Sequence, residues 1–78
     1  MPATLKLHLY GTTCCHLCEE AAVILQTAGV TAKHIDIAED DDLLRRYGTR
    51  IPVVRRLDND TEIGWPFDKS DLRRFLMA

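Results

Sequence analysis

The sequence predicts an α/β fold: a mixed four-stranded sheet with helices on both faces, in the order β-α-β-α-β-β-α. Three observations lead there. Short runs of alternating or β-rich residues are separated by stretches with helical apolar spacing. Four glycines and three prolines punctuate the chain. The last two strand-like runs are split by Asp58-Asn59-Asp60, a turn sequence that returns the chain as a hairpin.

The first strand is expected over Thr4–Tyr10, where Leu5, Leu7 and Leu9 alternate with Lys6 and His8. Gly11-Thr12-Thr13 ends it. A helix follows, with Leu17, Ala21, Ile24 or Leu25, and Ala28 on one face. Glu19 and Glu20 lie in its first turns, where carboxylates suit the helix dipole. Gly29 stops it, because glycine accepts the left-handed conformation past a helix end. Thr31–Ile37 reads as the second strand, with Ile35 and Ile37 opposed to His34 and Asp36.

Asp40-Asp41-Asp42 then opens a short helix through Leu43, Leu44, Arg45 and Arg46, acids first and bases last, closed by Gly48. The third strand spans Pro52–Leu57 and its hairpin partner Thr61–Trp65. Asp68 is the expected N-cap of the last helix. Phe67 and Leu72 flank it at the spacing of a hydrophobic staple, and Leu72, Phe75 and Leu76 form its apolar face. The first strand, helix and second strand make a parallel unit, expected to be right-handed, and the hairpin adds antiparallel strands.

Composition narrows the function. At 78 residues the chain has room for one domain, residues 1–78. Its 46% hydrophobic content excludes a disordered chain. Ten Lys and Arg against twelve Asp and Glu leave a charge of −2, with no basic surplus for nucleic acid or an anionic membrane. The longest apolar run, Ala21 to Leu25, falls far short of the roughly 20 residues that span a bilayer. No basic stretch followed by an apolar run opens the sequence, so the expected location is the cytoplasm.

The three cysteines, Cys14, Cys15 and Cys18, all lie in one five-residue window. A bridge among them closes a tiny loop and removes little unfolded-state entropy, so stability is a poor reason for them. Reactivity or metal binding is a better one. Cys15-His16-Leu17-Cys18 is a C-x-x-C where strand gives way to helix. Free backbone N–H groups there stabilise a thiolate, and a cysteine so placed falls from about 8.5 to roughly 3.5–7.5 in pKa. Cys15, the more N-terminal, is the expected nucleophile. Cys18, nearly one turn on and facing inward, resolves the mixed disulfide.

The alternative for the pair is two inert packed thiols. Their clustering at a helix start in a βαβ pattern argues against it. For Cys14 the weighing reverses: a vicinal bridge to Cys15 is strained, and a bystander thiol is the simpler reading. His16 either lends positive charge to Cys15 or is a solvated spacer. Ile51-Pro52 opens the third strand, where a residue without an N–H is tolerated and where a cis bond is available. Arg50 lies near the predicted site and can attract an anionic substrate. Arg55 and Arg56 face opposite ways on their strand, with a solvated face and an edge as the default. His8 and His34 read as surface or satisfied polar residues.

Taken together, Leu5–Tyr10, the Cys15–Cys18 motif, the Tyr47–Val54 segment and the closing hairpin and helix resemble the thioredoxin superfamily, most closely a small glutaredoxin-like protein. The resemblance covers nearly the whole chain. It implies a thioredoxin-like, glutaredoxin-type fold and a thiol–disulfide oxidoreductase that reduces protein disulfides or glutathione mixed disulfides. Cys15 matches the attacking cysteine, Cys18 the resolving one, and Pro52 the cis-proline beside the sulfurs. Ile51 matches the residue whose backbone pairs with substrate as an added strand. No bound cofactor is implied. Glutathione or a thioredoxin-reductase-type protein is the implied electron donor.

The chain departs from glutaredoxins at several positions. Leu17 stands where many carry an aromatic residue. Gly11-Thr12-Thr13 lacks the basic residue often found before the motif. Gly64-Trp65-Pro66-Phe67-Asp68 replaces a Gly-Gly that meets the glutathione carboxylate, and Pro66 has no N–H to offer. Trp65 and Phe67 either shape a substrate surface or serve as core and staple. Asp68 either holds a glutathione amine or only caps its helix.

Two other functions compete: a soft-metal carrier for Cu(I) or Zn, and a redox-inactive thioredoxin-fold interaction module. Thiolates suit soft metals. Against the carrier stand the cysteine spacing, the β-β-α ending, and the shortage of thiols for a four-ligand zinc site.

Overall fold

The computed structural model describes residues 6–13 and 15–77. The first strand, β1 (Leu7–Gly11), divides the core in two. Leu7 and Leu9 point to one side and Tyr10 to the other, as strand alternation requires. Leu7, Leu9, Val54, Ala21, Leu25, Phe67 and Leu72 form one buried cluster; Tyr10, Ile37, Tyr47 and Val53 form the second.

The other elements follow in order: α1 (His16–Thr27), β2 (Lys33–Asp36), α2 (Asp41–Tyr47), β3 (Val53–Arg56), β4 (Glu62–Gly64) and α3 (Lys69–Met77). The strands lie β2-β1-β3-β4 across the sheet. β1 runs parallel to β2, while β1–β3 and β3–β4 are antiparallel. Residues of α1 and α3 join the first cluster and those of α2 the second, so helices cover both faces. This is an α/β thioredoxin-like fold.

The helix ends have local causes. Gly29 adopts φ +77° just past α1, the conformation for which it was read as the stop. The Asp40 carboxylate accepts from the N–H of Asp42 and Leu43 to cap α2. At α3, Asp68 and Asp71 cap reciprocally: the Asp71 N–H donates to Asp68 at 2.8 Å and the Asp68 N–H to Asp71 at 3.1 Å. The bond from the Asp68 N–H holds the Asp71 carboxyl below its usual range, with the Arg74 guanidinium helping. Phe67 and Leu72, the staple pair, are both buried in the first cluster.

Several features differ from the sequence reading. β3 and β4 are each one residue shorter at both ends than Pro52–Leu57 and Thr61–Trp65, and Leu17, expected on the apolar face of α1, is exposed. The second strand is shorter than Thr31–Ile37. It ends at Asp36, whose carboxylate accepts from the Ala38 N–H and turns Ile37–Glu39 into a single 3-10 turn. The first strand gains Gly11, while Thr4 and Leu5 lie outside the described residues. Arg56 is neither a solvated nor an edge residue. It is buried on the α1–α3 side, donating to both Asp58 carboxylate oxygens and to the Phe75 and Leu76 carbonyls at the end of α3. Those carbonyls lack intrahelical partners, so a buried cation that reaches them satisfies α3 and neutralises its dipole. The Asp58 carboxyl beside Arg56 is held below its usual range. Among the described residues no helix is long and apolar enough to cross a membrane.

Candidate active site

The end of β1, the start of β3 and the first turn of α1 meet at one end of the sheet. Cys15 is the N-cap of α1, in extended backbone (φ −104°, ψ 110°), and its Sγ accepts the Cys18 N–H at 3.2 Å. A sulfur at an N-cap faces N–H groups that have no intrahelical partner. Cys18 is one turn on, 7% exposed, while Cys15 is half-buried. The two are joined by a disulfide, with Cα atoms 5.1 Å apart. Cys14 lies outside the described residues.

Gly11 makes the approach of α1 possible. A β-carbon there would come within 2.8 Å of the Cys18 Sγ. In the sequence Gly11 reads only as the end of a strand, and the signal for its second role is that it stands immediately before the loop into the C-x-x-C. Tyr10 and Val53 are the last pair of the antiparallel ladder, so Gly11 and Pro52 each lie one residue beyond it. Pro52 is fully buried, the Ile51–Pro52 peptide is cis, and the Pro52 carbonyl accepts from the Trp65 N–H at 3.1 Å. The Trp65–Pro66 peptide is also cis.

The other candidate residues are more dispersed. His16 is on the exposed face of α1, 3.6 Å from the Glu20 carboxylate. Ile51 packs against the second cluster, and its N–H donates to the Tyr47 carbonyl at 3.1 Å. Arg50 lies over the Tyr47 ring and donates to Glu62 at 3.3 Å. The ring of Trp65 meets Phe67 edge-on beside the first cluster. Asp68 carries the α3 cap. Leu17, between the cysteines, is 42% exposed. Tyr47 was not singled out from the sequence. It is fully buried, stacks on Tyr10 at 4.4 Å, and donates its hydroxyl to Glu62.

A groove of about 540 Å³ opens beside the sulfurs, between α1 and β2, and is lined by both Cys15 and Cys18. Among the described residues no group of three or more His, Cys, Asp or Glu converges as a metal site.

A family model described as "Glutaredoxin-like domain (DUF836)" matches residues 6–77. The chain belongs to this glutaredoxin-like family. Solved structures agree with the assignment. The protein XcR50 from X. campestris is 38% identical, with a TM-score of 0.85 over 91% of this chain and 95% of that one. Protein Ne2328 from Nitrosomonas europaea is 28% identical, with a TM-score of 0.75 over 96% of this chain and 94% of that one. Thioredoxin 1 from Thermosipho africanus TCF52B, 17% identical with a TM-score of 0.57 over 92% of this chain and 94% of that one, shares the fold. No curated protein matches this glutaredoxin-like chain.

Proposed function

We propose that this domain is a thiol–disulfide oxidoreductase that uses the Cys15/Cys18 dithiol to reduce protein disulfides or glutathione mixed disulfides. The observation that carries the reading is the Cys15–Cys18 bridge at the N-cap of α1, with the Cys15 Sγ accepting a first-turn N–H. The same N–H groups stabilise negative charge on sulfur, which favours the thiolate of Cys15 in the reduced protein.

The chemistry balances on the two thiols alone. The Cys15 thiolate attacks one sulfur of the substrate disulfide. The substrate S–S bond breaks, one substrate thiolate leaves and takes up a proton, and a mixed disulfide remains on Cys15. Cys18, deprotonated, then attacks the Cys15 Sγ and expels the second substrate thiolate. Two electrons pass to the substrate and the protein is left with the bridge described above. Glutathione or a thioredoxin-reductase-type donor restores the dithiol, and the cytoplasm is the compartment where that resting form persists.

Ile51, half-buried, forms the substrate-facing edge in this reading, with the buried Pro52 behind it. Because the Ile51 N–H is donated to Tyr47, strand-like pairing with substrate rests on the Ile51 carbonyl. His16 and Leu17, both exposed between the cysteines, flank the incoming disulfide. Arg50 reaches an anionic substrate only by leaving Glu62, and Trp65 and Asp68 support the site through the turn into α3.

The test is a single turnover with pre-reduced protein and a small disulfide. The expected yield is two substrate thiols per protein, with none from Cys15→Ser. Equal thiol release from Cys15→Ser would overturn the role given to Cys15.

A further inference from the structure

We propose that the groove between α1 and β2 takes an extended, positively charged segment of a disulfide-bearing peptide. This rests on the dithiol reading above and adds to it a substrate class. The groove's volume, about 540 Å³, is within the roughly 300–1,000 Å³ range of binding sites for small molecules. Both sulfurs line it, so a chain held there has its disulfide against Cys15. The groove lies against β2, the opposite edge of the sheet from β4.

Its charge is one-sided. Glu19 on α1, and His34 and Asp36 on β2, line the groove, and among the described residues no Lys or Arg does. The ladder pairs His34 with Leu9 and Asp36 with Gly11, which sets both polar side chains on the sheet face that α1 covers. Lys33, one residue earlier, falls on the other face. A cationic chain is attracted to this lining. Glutathione, with more carboxylates than ammonium groups, is repelled by it.

The shape favours a peptide over a compact cation. Leu9 and Ala22 supply an apolar floor. Ile35 turns its side chain into the second cluster, so it meets the groove through its backbone. β2 is an outer strand, and no described strand pairs with its far side. Among the described residues the outer edge of β2, beside the groove, is unpaired, and an extended chain can use it where a small amine cannot.

The test compares three disulfides in single turnovers of the pre-reduced full chain. They are the symmetric disulfide of a Lys-Cys-Lys peptide, that of a Glu-Cys-Glu peptide, and cystamine, a diammonium disulfide without peptide bonds. Each rate is divided by the rate with dithiothreitol, which removes intrinsic reactivity. At low salt the lysine peptide is expected to react about tenfold faster than the glutamate peptide, a preference that shrinks in high salt. Glu19→Gln with Asp36→Asn, which keeps a capping oxygen at position 36, is expected to bring the ratio within about twofold. Glu39→Gln, which removes one charge from an exposed residue outside the groove, is expected to keep it.

No preference in the parent overturns the proposal. So does a preference that survives the double substitution, or one that Glu39→Gln removes equally. A gain with cystamine as large as with the lysine peptide overturns the peptide assignment. Equal consumption of all three probes leaves the dithiol reading standing without this one, whereas consumption of none removes both.

Discussion

Cys18 rests on the bare backbone of Gly11. A β-carbon at position 11 would stand 3.2 Å from the Cys18 Cβ and 2.8 Å from its Sγ, the latter closer than real β-carbons approach. The contact joins the last residue of β1 to the first turn of α1, one residue beyond the Tyr10–Val53 pair that ends the β1–β3 ladder. It sets how near the Cys18 sulfur comes to the sheet.

Gly11→Ala therefore forces α1 or the strand end to shift. Overpacking a buried site of this kind costs about 1–3 kcal/mol, which a urea titration reads directly. The same displacement is expected to slow closure of Cys18 onto Cys15, seen as a longer-lived mixed disulfide. An unchanged midpoint and an unchanged lifetime would show that the contact is absorbed without consequence.

Asp68 is expected to act as a cap rather than through substrate. Asp68→Ala removes the bond to the Asp71 N–H and should lower stability by about 1 kcal/mol, while Asp68→Asn retains most of it. Neither variant is expected to change KM for glutathione mixed disulfides. A rise in KM for Asp68→Asn at unchanged stability would instead assign the carboxylate to a substrate amine.

Tyr47 makes alkaline stability specific. Burial and the hydrogen bond to Glu62 push its phenol from 10.0 up to about 12. A value raised in the folded state stabilises the fold fully below the unfolded value, and that contribution is lost as pH rises through the folded one. Thermal melts should therefore fall between about pH 10 and 12. Tyr47→Phe is expected to flatten that fall and to cost about 1 kcal/mol at neutral pH. An equally steep fall in the variant would place the titration elsewhere.

Local chemistry made much of this molecule legible before its structure. The C-x-x-C at a strand–helix junction, the Asp68 cap, the Phe67–Leu72 staple and the Gly29 stop each depend on residues a few positions apart. What the sequence hid depends on distant partners. Gly11 matters because α1 folds back over it. Arg56 is buried because α3, about twenty residues later, ends at its guanidinium. Tyr47 is held by Tyr10 and by Glu62, on two different strands. The groove exists only once β2 is paired beside β1, and Asp36 reads as an ordinary strand residue until it caps the 3-10 turn.

The central claim is that Cys15 is the nucleophile and Cys18 the resolving thiol. Trapping tests it most directly. Pre-reduced Cys18→Ser is mixed with a peptide disulfide, and the product is mapped by peptide mass spectrometry. The account predicts a stable mixed disulfide on Cys15, and no adduct at that position in Cys15→Ser. An adduct carried by Cys14 in the Cys18→Ser protein, or no adduct at all, would contradict it.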